Sequence, residues 1–269
     1  LYKVEGAGND FLLGIGDWAE RLAGQPELVV RLCDRRRGVG GDGVLALWAD
    51  GKRRVRLVYR NADGGEAGFC ANGTRCAARA GVELLGCAPR LEVATGWGVI
   101  PAEVDGAEVA LELPPPSSAP RPLAISPPAG LSDLHVFEVG VPHVVAAAES
   151  LEEIDMRMVA PILRRHPSLG PSGANVNLYE IGAGNEVAVR SWERGVEAET
   201  LSCGSGLVAV ALQVMARRDL RRIVCLPRSG DRLTVEALGE PPGCGTRMVG
   251  PARIVAEIEP SEELVRNAG

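Results

Sequence analysis

Lysine is nearly missing. Only Lys3 and Lys52 stand against 27 arginines in a chain of 269 residues, so a pyridoxal-phosphate Schiff base has two candidate anchors. Histidine is also scarce, at three, and neither HExxH nor CxxC occurs, which leaves no recognisable zinc pattern. The seven cysteines are an odd number, spread too thinly for a disulfide scaffold. A reducing cytosol is the expected setting, with most thiols acting as small buried hydrophobes. No apolar run approaches the roughly 18 residues of a membrane-spanning helix. The best candidate, Leu207–Ala216, has ten residues and contains Gln213. The opening LYKVEGAGNDFLL places acidic and polar groups where a signal peptide keeps an apolar run, so export is not expected. An excess of positive charge is lacking too. The formal net charge of −6 argues against a nucleic-acid footprint or a basic membrane face.

What is there is the composition of an ordinary soluble protein, 46% hydrophobic and 24% charged. The length exceeds one domain of about 100–200 residues and falls short of three. Seven of the nineteen prolines lie between Pro114 and Gly130, in PPPSSAPRPLAISPPAG. That run can continue neither a helix nor a central strand and reads as an extended linker, dividing the chain into 1–115 and 116–255. Sliding the sequence on itself by 133 residues brings Cys70 onto Cys203, Glu66 onto Glu199, Gly73 onto Gly206 and Ala78 onto Ala211. The same offset lays VRLVYRN (55–61) on AVRSWER (188–194), Gly40 on Gly173, Leu45 on Leu178 and GNDF (8–11) on VPHV (141–144). Identities are few, but one offset serves four separated windows, which points to duplication.

Alternating patterns predict strands at 53–59, 99–104, 107–113, 185–192 and 233–238. A helix following Cys70 stops at Gly86, and one following Cys203 is apolar nearly all round as far as Arg217. The expected fold class is α+β. It has two pseudo-symmetric domains, each a mixed β-sheet or barrel wrapped round a central helix with a cysteine at the helix start, and an active site in the cleft between them.

A helix N-terminus stabilises a thiolate through unpaired N–H groups and the macrodipole, and it binds anions where small residues allow close approach. ANG after Cys70 and GSG after Cys203 supply that setting. If the halves pack about a pseudo-twofold axis, a substrate carboxylate takes hydrogen bonds from both helix ends, and its α-carbon lies between two sulfurs. One thiolate then removes the α-proton while the opposite thiol delivers one to the other face. Such a stereoinversion requires no pyridoxal phosphate. The rare asparagines Asn9, Asn61, Asn72, Asn175 and Asn177 lie in or beside the same glycine-rich stretches.

The segments GAGNDF (6–11), RNADGGEAGFCANGTRC (60–76), GANVN (173–177) and WERGVEAETLSCGSG (192–206) resemble diaminopimelate epimerase from end to end of the chain. The resemblance implies a cofactor-independent isomerase of bacterial lysine and peptidoglycan-precursor biosynthesis that interconverts LL- and meso-diaminopimelate. It implies a cytoplasmic homodimer without nucleic-acid or membrane partners, and a C-terminal segment, roughly 256–269, that returns to the first domain. By matching position, Cys70 and Cys203 are the catalytic acid/base pair, supported by His143 and Glu193. Asn9, Asn61, Ala71, Asn72, Asn177, Glu193, Arg194, Gly204 and Ser205 bind substrate. The backbone at Ala71–Asn72 and Gly204–Ser205 holds the reacting carboxylate, and Arg194 offers a bidentate partner for the distal one. No metal is implied. Three departures bear on substrate contacts: Ala71 where the family has Gly, Val141 in place of Asn before Pro142–His143, and Gly43 where some members carry Gln.

Simpler readings hold elsewhere. Cys33, Cys76, Cys87, Cys225 and Cys244 read as buried inert thiols, Asn175 as a turn former, GVGGDG (38–43) as a tight turn and RRR (35–37) as a solvated charge run. Two other functions stay open on the residues alone. One is a racemase of another amino acid on the same scaffold; the other is a thiol redox protein using Cys70 and Cys203. A non-catalytic binding module fits paired activated thiols poorly.

Overall fold

The computed structural model describes residues 1–266, and the chain divides into two compact units. One comprises Leu1–Leu111 together with the segment from Gly250; the other comprises Glu112–Val249. Of the stretch 256–269 expected to return to the first half, residues 267–269 lie outside the described residues.

In chain order the first unit contains β1 (Tyr2–Gly6), β2 (Asn9–Gly14), α1 (Asp17–Gly24), α2 (Pro26–Cys33), β3 (Gly43–Ala49), β4 (Arg54–Asn61), β5 (Glu66–Ala67), α3 (Ala71–Leu85), β6 (Arg90–Thr95), β7 (Gly98–Asp105) and β8 (Glu108–Leu113), which crosses the boundary. Strand β1 pairs antiparallel with β2, β2 parallel with β3, β3 antiparallel with β4, and β4 parallel with β6; β6, β7 and β8 continue antiparallel. Helix α3 packs against β1, β2, β3, β4, β6 and β7, and is therefore the centre of the unit. Its residues make that close wrapping feasible: Ala71, Gly73, Ala77, Ala78, Ala80 and Gly81 are small and buried. The helix stops at Gly86, whose φ of 65° is the left-handed cap that glycine adopts without strain. Helices α1 and α2 cover the outside of the sheet, with Leu22, Leu28 and Leu32 against Leu12 and Val44.

The second unit repeats this plan. It contains β9 (Arg121–Pro122), β10 (Leu131–Val139), β11 (Val141–Ala148), α4 (Met156–Arg164), β12 (Asn175–Ile181), β13 (Glu186–Glu193), β14 (Ala198–Thr200), α5 (Gly204–Arg218), β15 (Arg222–Pro227), β16 (Leu233–Ala237) and β17 (Thr246–Pro251). The chain re-enters the first unit at Gly250, within β17, and continues there as β18 (Arg253–Glu257), which pairs antiparallel with β1, and α6 (Glu262–Arg266). Pairing again runs β10 antiparallel to β11, β11 parallel to β12, β12 antiparallel to β13, and β13 parallel to β15. Helix α5 packs against β10, β11, β12, β13, β15 and β16, with Leu207–Met215 buried on every side. The one polar side chain in that stretch, Gln213, donates its amide nitrogen to the backbone oxygen and carboxylate of Asp133, both at 2.8 Å.

The two central helices begin and end 133 residues apart, and the parallel pair Phe11–Gly43 recurs at that offset as Val144–Val176. The next ladder departs from it. Gly43 faces Asn61, whereas Val176 faces Trp192 rather than Arg194. The overlay of VRLVYRN on AVRSWER is therefore two residues out of structural register, and it sets the buried Val55 and Leu57 on the half-buried Ala188 and Arg190. The proline-rich segment is not a free linker throughout. Pro122 of β9 pairs with His135, and Leu123 is buried and donates its N–H to Leu134. Among the described residues no helix is long and apolar enough to cross a membrane.

Candidate active site

The first group of site residues gathers at the start of α3. Cys70 is the N-cap, in extended backbone, and its Sγ accepts from the Gly73 N–H at 3.4 Å. Its thiol also lies 3.6 Å from Oδ1 of Asn9 at the head of β2, and that same oxygen accepts from Nδ2 of Asn72 at 3.4 Å. Asn72 accepts in turn from the guanidinium of Arg75 at 2.9 Å; Arg75 is wholly buried and also reaches the Pro251 carbonyl. Ala71 lies in the helical first turn and is not among the residues with positive φ, so its methyl group introduces no backbone strain. On the outer side, Nδ2 of Asn9 donates to Asp42 at 2.6 Å, and Arg35 bridges Asp42 and Asp10. Burial alone would raise the Asp10 carboxyl, but hydrogen bonds and charge from Arg35 and Lys3 outweigh it and hold it below its ordinary value. Arg35 is thus tied into an ion-pair cluster, a correction to the reading of residues 35–37 as a solvated run. Arg36 and Arg37 remain exposed.

Asn61 ends β4 opposite Gly43, and its Oδ1 accepts from the hydroxyl of Tyr59 at 2.6 Å. Gly43 is imposed by this packing. A β-carbon there would stand 2.4 Å from the Arg60 carbonyl oxygen and 2.8 Å from the Tyr59 ring. The Arg60 carbonyl and the Tyr59 ring therefore leave no room for a side chain at this position.

The second group surrounds the start of α5. Cys203 is its N-cap, buried, with Sγ 3.8 Å from the Ser205 hydroxyl, and Gly204 and Ser205 open the first turn. His143 on β11 is fully buried, and its Nδ1 lies 3.0 Å from Nδ2 of Asn177 on the neighbouring parallel strand. An amide nitrogen only donates, so Nδ1 accepts and the neutral ring carries its proton on Nε2. That Nε2 is buried without a hydrogen-bond partner among the described residues. Burial, with a smaller contribution from the Arg194 charge and some opposition from the Val139 backbone, pushes the imidazole down to about 3. His143 is therefore neutral at physiological pH. The Asn177 oxygen accepts from Ser191 at 2.9 Å, which fixes the amide from its other end. Glu193 accepts from the Thr200 hydroxyl at 2.6 Å.

Arg194 follows β13, and its backbone N–H donates to Oδ1 of Asn175 at 2.8 Å. Asn175 is therefore no turn former. It is the buried first residue of β12, and its amide anchors the segment carrying Arg194. Sequence reasoning also passed over Asp42, Tyr59, Arg75 and Ser191. Asp42, Tyr59 and Arg75 lie within or beside the quoted glycine-rich motifs, but only the pairing register brings Tyr59 beside Gly43 or Ser191 opposite Asn177.

Five cysteines remain, namely Cys33, Cys76, Cys87, Cys225 and Cys244. All are buried; desolvation raises Cys33 and Cys225 to about 12 and shifts Cys76, Cys87 and Cys244 upward as well. They are protonated and unreactive at neutral pH. Among the described residues no group of three or more His, Cys, Asp or Glu side chains is placed to hold a metal ion.

A strand-wrapped central helix, present once in each of two units, is the fold of two-domain proteins of the PhzF and racemase type. A phenazine biosynthesis protein of the PhzF family from Bacillus anthracis superposes with a TM-score of 0.71 at 12% identity, over 95% of this chain and 96% of that one. A hydroxyproline epimerase from Agrobacterium vitis, with bound trans-4-hydroxy-L-proline, gives 0.65 at 15% identity, over 95% and 89%. Within that fold the chain belongs to the diaminopimelate epimerase family, whose model matches residues 1–115 and 135–255. The diaminopimelate epimerase of Methanothrix thermoacetophila is 36% identical over 98% of this chain and 96% of its own length. That of Gemmatimonas aurantiaca is 36% identical over 78% and 77%. The chain is accordingly an epimerase, an isomerase by class.

Proposed function

We propose that this epimerase interconverts LL- and meso-diaminopimelate by exchanging one α-proton between two thiols, Cys70 and Cys203. The observation that carries the reading is the equivalence of the two sulfurs. Each is the N-cap of the central helix of its unit, 133 residues apart, and each precedes a first turn whose N–H groups have no intrahelical acceptor. One sulfur, as thiolate, takes the α-proton and becomes a thiol. The opposite thiol gives its proton to the other face of the α-carbon and becomes a thiolate. The N–H groups at Ala71–Asn72 and Gly204–Ser205 hold the adjoining carboxylate, where negative charge develops as the proton leaves.

Asn9, Asn61, Asn177, Glu193 and Arg194 are the substrate-holding side chains in this reading, with Arg194 for the distal carboxylate. His143 and Glu193 support the thiols. No Schiff base enters the scheme, and both lysines are otherwise engaged: Lys3 pairs with Asp10 at 2.5 Å and Lys52 donates to the Gly86 carbonyl at 3.4 Å. The product serves lysine and peptidoglycan-precursor synthesis, and the family likeness leads us to expect a cytoplasmic homodimer. Sedimentation velocity of the full chain tests the last point; a species of 28.3 kDa alone at micromolar concentration contradicts it.

The reaction is tested by incubating the chain with LL-diaminopimelate in deuterium oxide without added pyridoxal phosphate or metal. Formation of the meso isomer with one deuteron at the inverted carbon is expected. Two specific residues motivate the alternative of a different amino-acid racemase, Val141 and Gly43, and a panel of amino acids followed by polarimetry decides between them. A thiol redox protein would instead keep its function through cycles of oxidation. The epimerase is expected to lose activity on oxidation of its thiols and recover it on reduction.

A further inference from the structure

We infer that Asp42 is a positioning residue for this site: it fixes the Asn9 amide so that the amide oxygen accepts from Cys70, which holds Cys70 as the thiol in the resting protein. The argument starts from what each group is able to do. A carboxylate only accepts hydrogen bonds, so the atom of Asn9 lying 2.6 Å from Asp42 Oδ2 is the NH2 nitrogen. Flipping the amide would set two oxygens against each other at that distance. The Asn9 oxygen is consequently turned to Cys70, 3.6 Å from Sγ, where it serves as an acceptor for S–H and repels a thiolate. The sulfur at the same time accepts from the Gly73 N–H at 3.4 Å. Donating on one side and accepting on the other is what a neutral thiol does. Asp42 is itself held in place by Arg35 at 2.7 Å and accepts from the Asp10 N–H at 3.3 Å.

The charged groups around this end of α3 are Asp42, Asp10, Arg35 and Lys3 on the side of Asn9, Glu5, which accepts from the Gly8 N–H, and the buried Arg75 beneath Asn72. In this reading Asp42 acts on the sulfur through the direction of one amide, an effect separable from that of its charge. Asparagine at position 42 keeps an acceptor oxygen for Asn9 and removes the charge; alanine removes both. The inference rests on Cys70 being one of the two reacting thiols, yet its primary readout is independent of turnover.

The test is the pH dependence of Cys70 alkylation by iodoacetamide, quantified by mass spectrometry on the peptide containing Cys70 in the full chain. In D42A the freed amide turns its NH2 toward sulfur, and the midpoint of alkylation is expected to fall by about one pH unit, a rate roughly tenfold higher on the acid limb. D42N should stay near the wild-type midpoint. In an N9A background D42A should produce no further shift, because the amide that transmits the effect is gone. An unchanged midpoint in D42A overturns the inference, as does an equal shift in D42N, which would make the effect one of charge alone, or a full shift of D42A in the N9A background. The side chain of Asp42 is 42% exposed, so its replacement leaves the core intact. If C70A retains epimerase activity, the two-thiol reading fails while these midpoints still judge the role of Asp42.

Discussion

Gly206, in the first turn of α5, lies flat against Asn177: a β-carbon on the glycine would stand 2.0 Å from the Asn177 amide oxygen. The helix and strand β12 thus approach as closely as they do because position 206 has no side chain, and the approach sets Asn177 between His143 and Ser191. Gly206→Ala is expected to displace that amide, lower stability by about 1–3 kcal/mol and reduce kcat by at least about tenfold. Its counterpart Gly73→Ala meets only the end of the Leu45 side chain, at 3.0 Å, and is expected to be milder on both counts. Urea denaturation and steady-state kinetics of the two variants check the ordering.

The buried imidazole makes stability pH-dependent in a defined direction. His143 titrates near its ordinary 6.5 when unfolded and at about 3 when folded, so the unfolded state binds the extra proton between those values. Its contribution is complete above pH 6.5 and is lost progressively as pH falls toward 3, at up to about 1.4 kcal/mol per pH unit. Asp10, held low by Arg35 and Lys3, and Glu199, held low by Arg190, add losses in the same direction once pH drops below the ordinary carboxylate range. Urea midpoints measured from pH 7.5 to pH 4.5 should fall in the wild type and fall less in His143→Gln. Equal slopes in the two proteins would contradict the assignment.

Tyr59 is expected to matter through the direction of the Asn61 amide. With its oxygen engaged by the Tyr59 hydroxyl, Asn61 presents its NH2 group, which suits a carboxylate and not an ammonium. Tyr59→Phe removes only that hydroxyl and should raise KM for diaminopimelate about five- to tenfold, with a smaller change in kcat. Initial-rate kinetics decide it.

Asn175→Ala is expected to loosen the segment that carries Arg194, since the Arg194 N–H loses its acceptor. A rise in KM of roughly tenfold is predicted, with the thiol alkylation profile of Cys70 unaffected. A shift in that profile would show that the substitution disturbs more than Arg194.

Much of this organisation is legible in the residues themselves. Glycines beside Cys70 and Cys203 and the apolar periodicity after them define α3 and α5, and the alternating segments β4, β7, β8, β13 and β16 lie where polar and apolar residues trade places. Strands β3 and β12 escape that logic, because GVLALWA and NVNLYEI begin with runs buried on both faces and carry no period of two. Helix α4 is obscured by Pro161 in its interior. The roles of Asp42, Tyr59, Ser191 and Asn175 depend on strand register and on which end of an amide finds a partner. Residue type and spacing leave both undetermined; the two-residue slip between β4 and β13 is one consequence.

The most direct test of the two-thiol account is proton exchange by the single-cysteine variants Cys70→Ala and Cys203→Ala, each incubated in deuterium oxide with LL- and with meso-diaminopimelate. The account predicts that neither variant inverts the stereocentre in either direction, while the unfolding free energy from urea denaturation stays within about 1–2 kcal/mol of wild type. Wild-type rates of interconversion by either variant would contradict it.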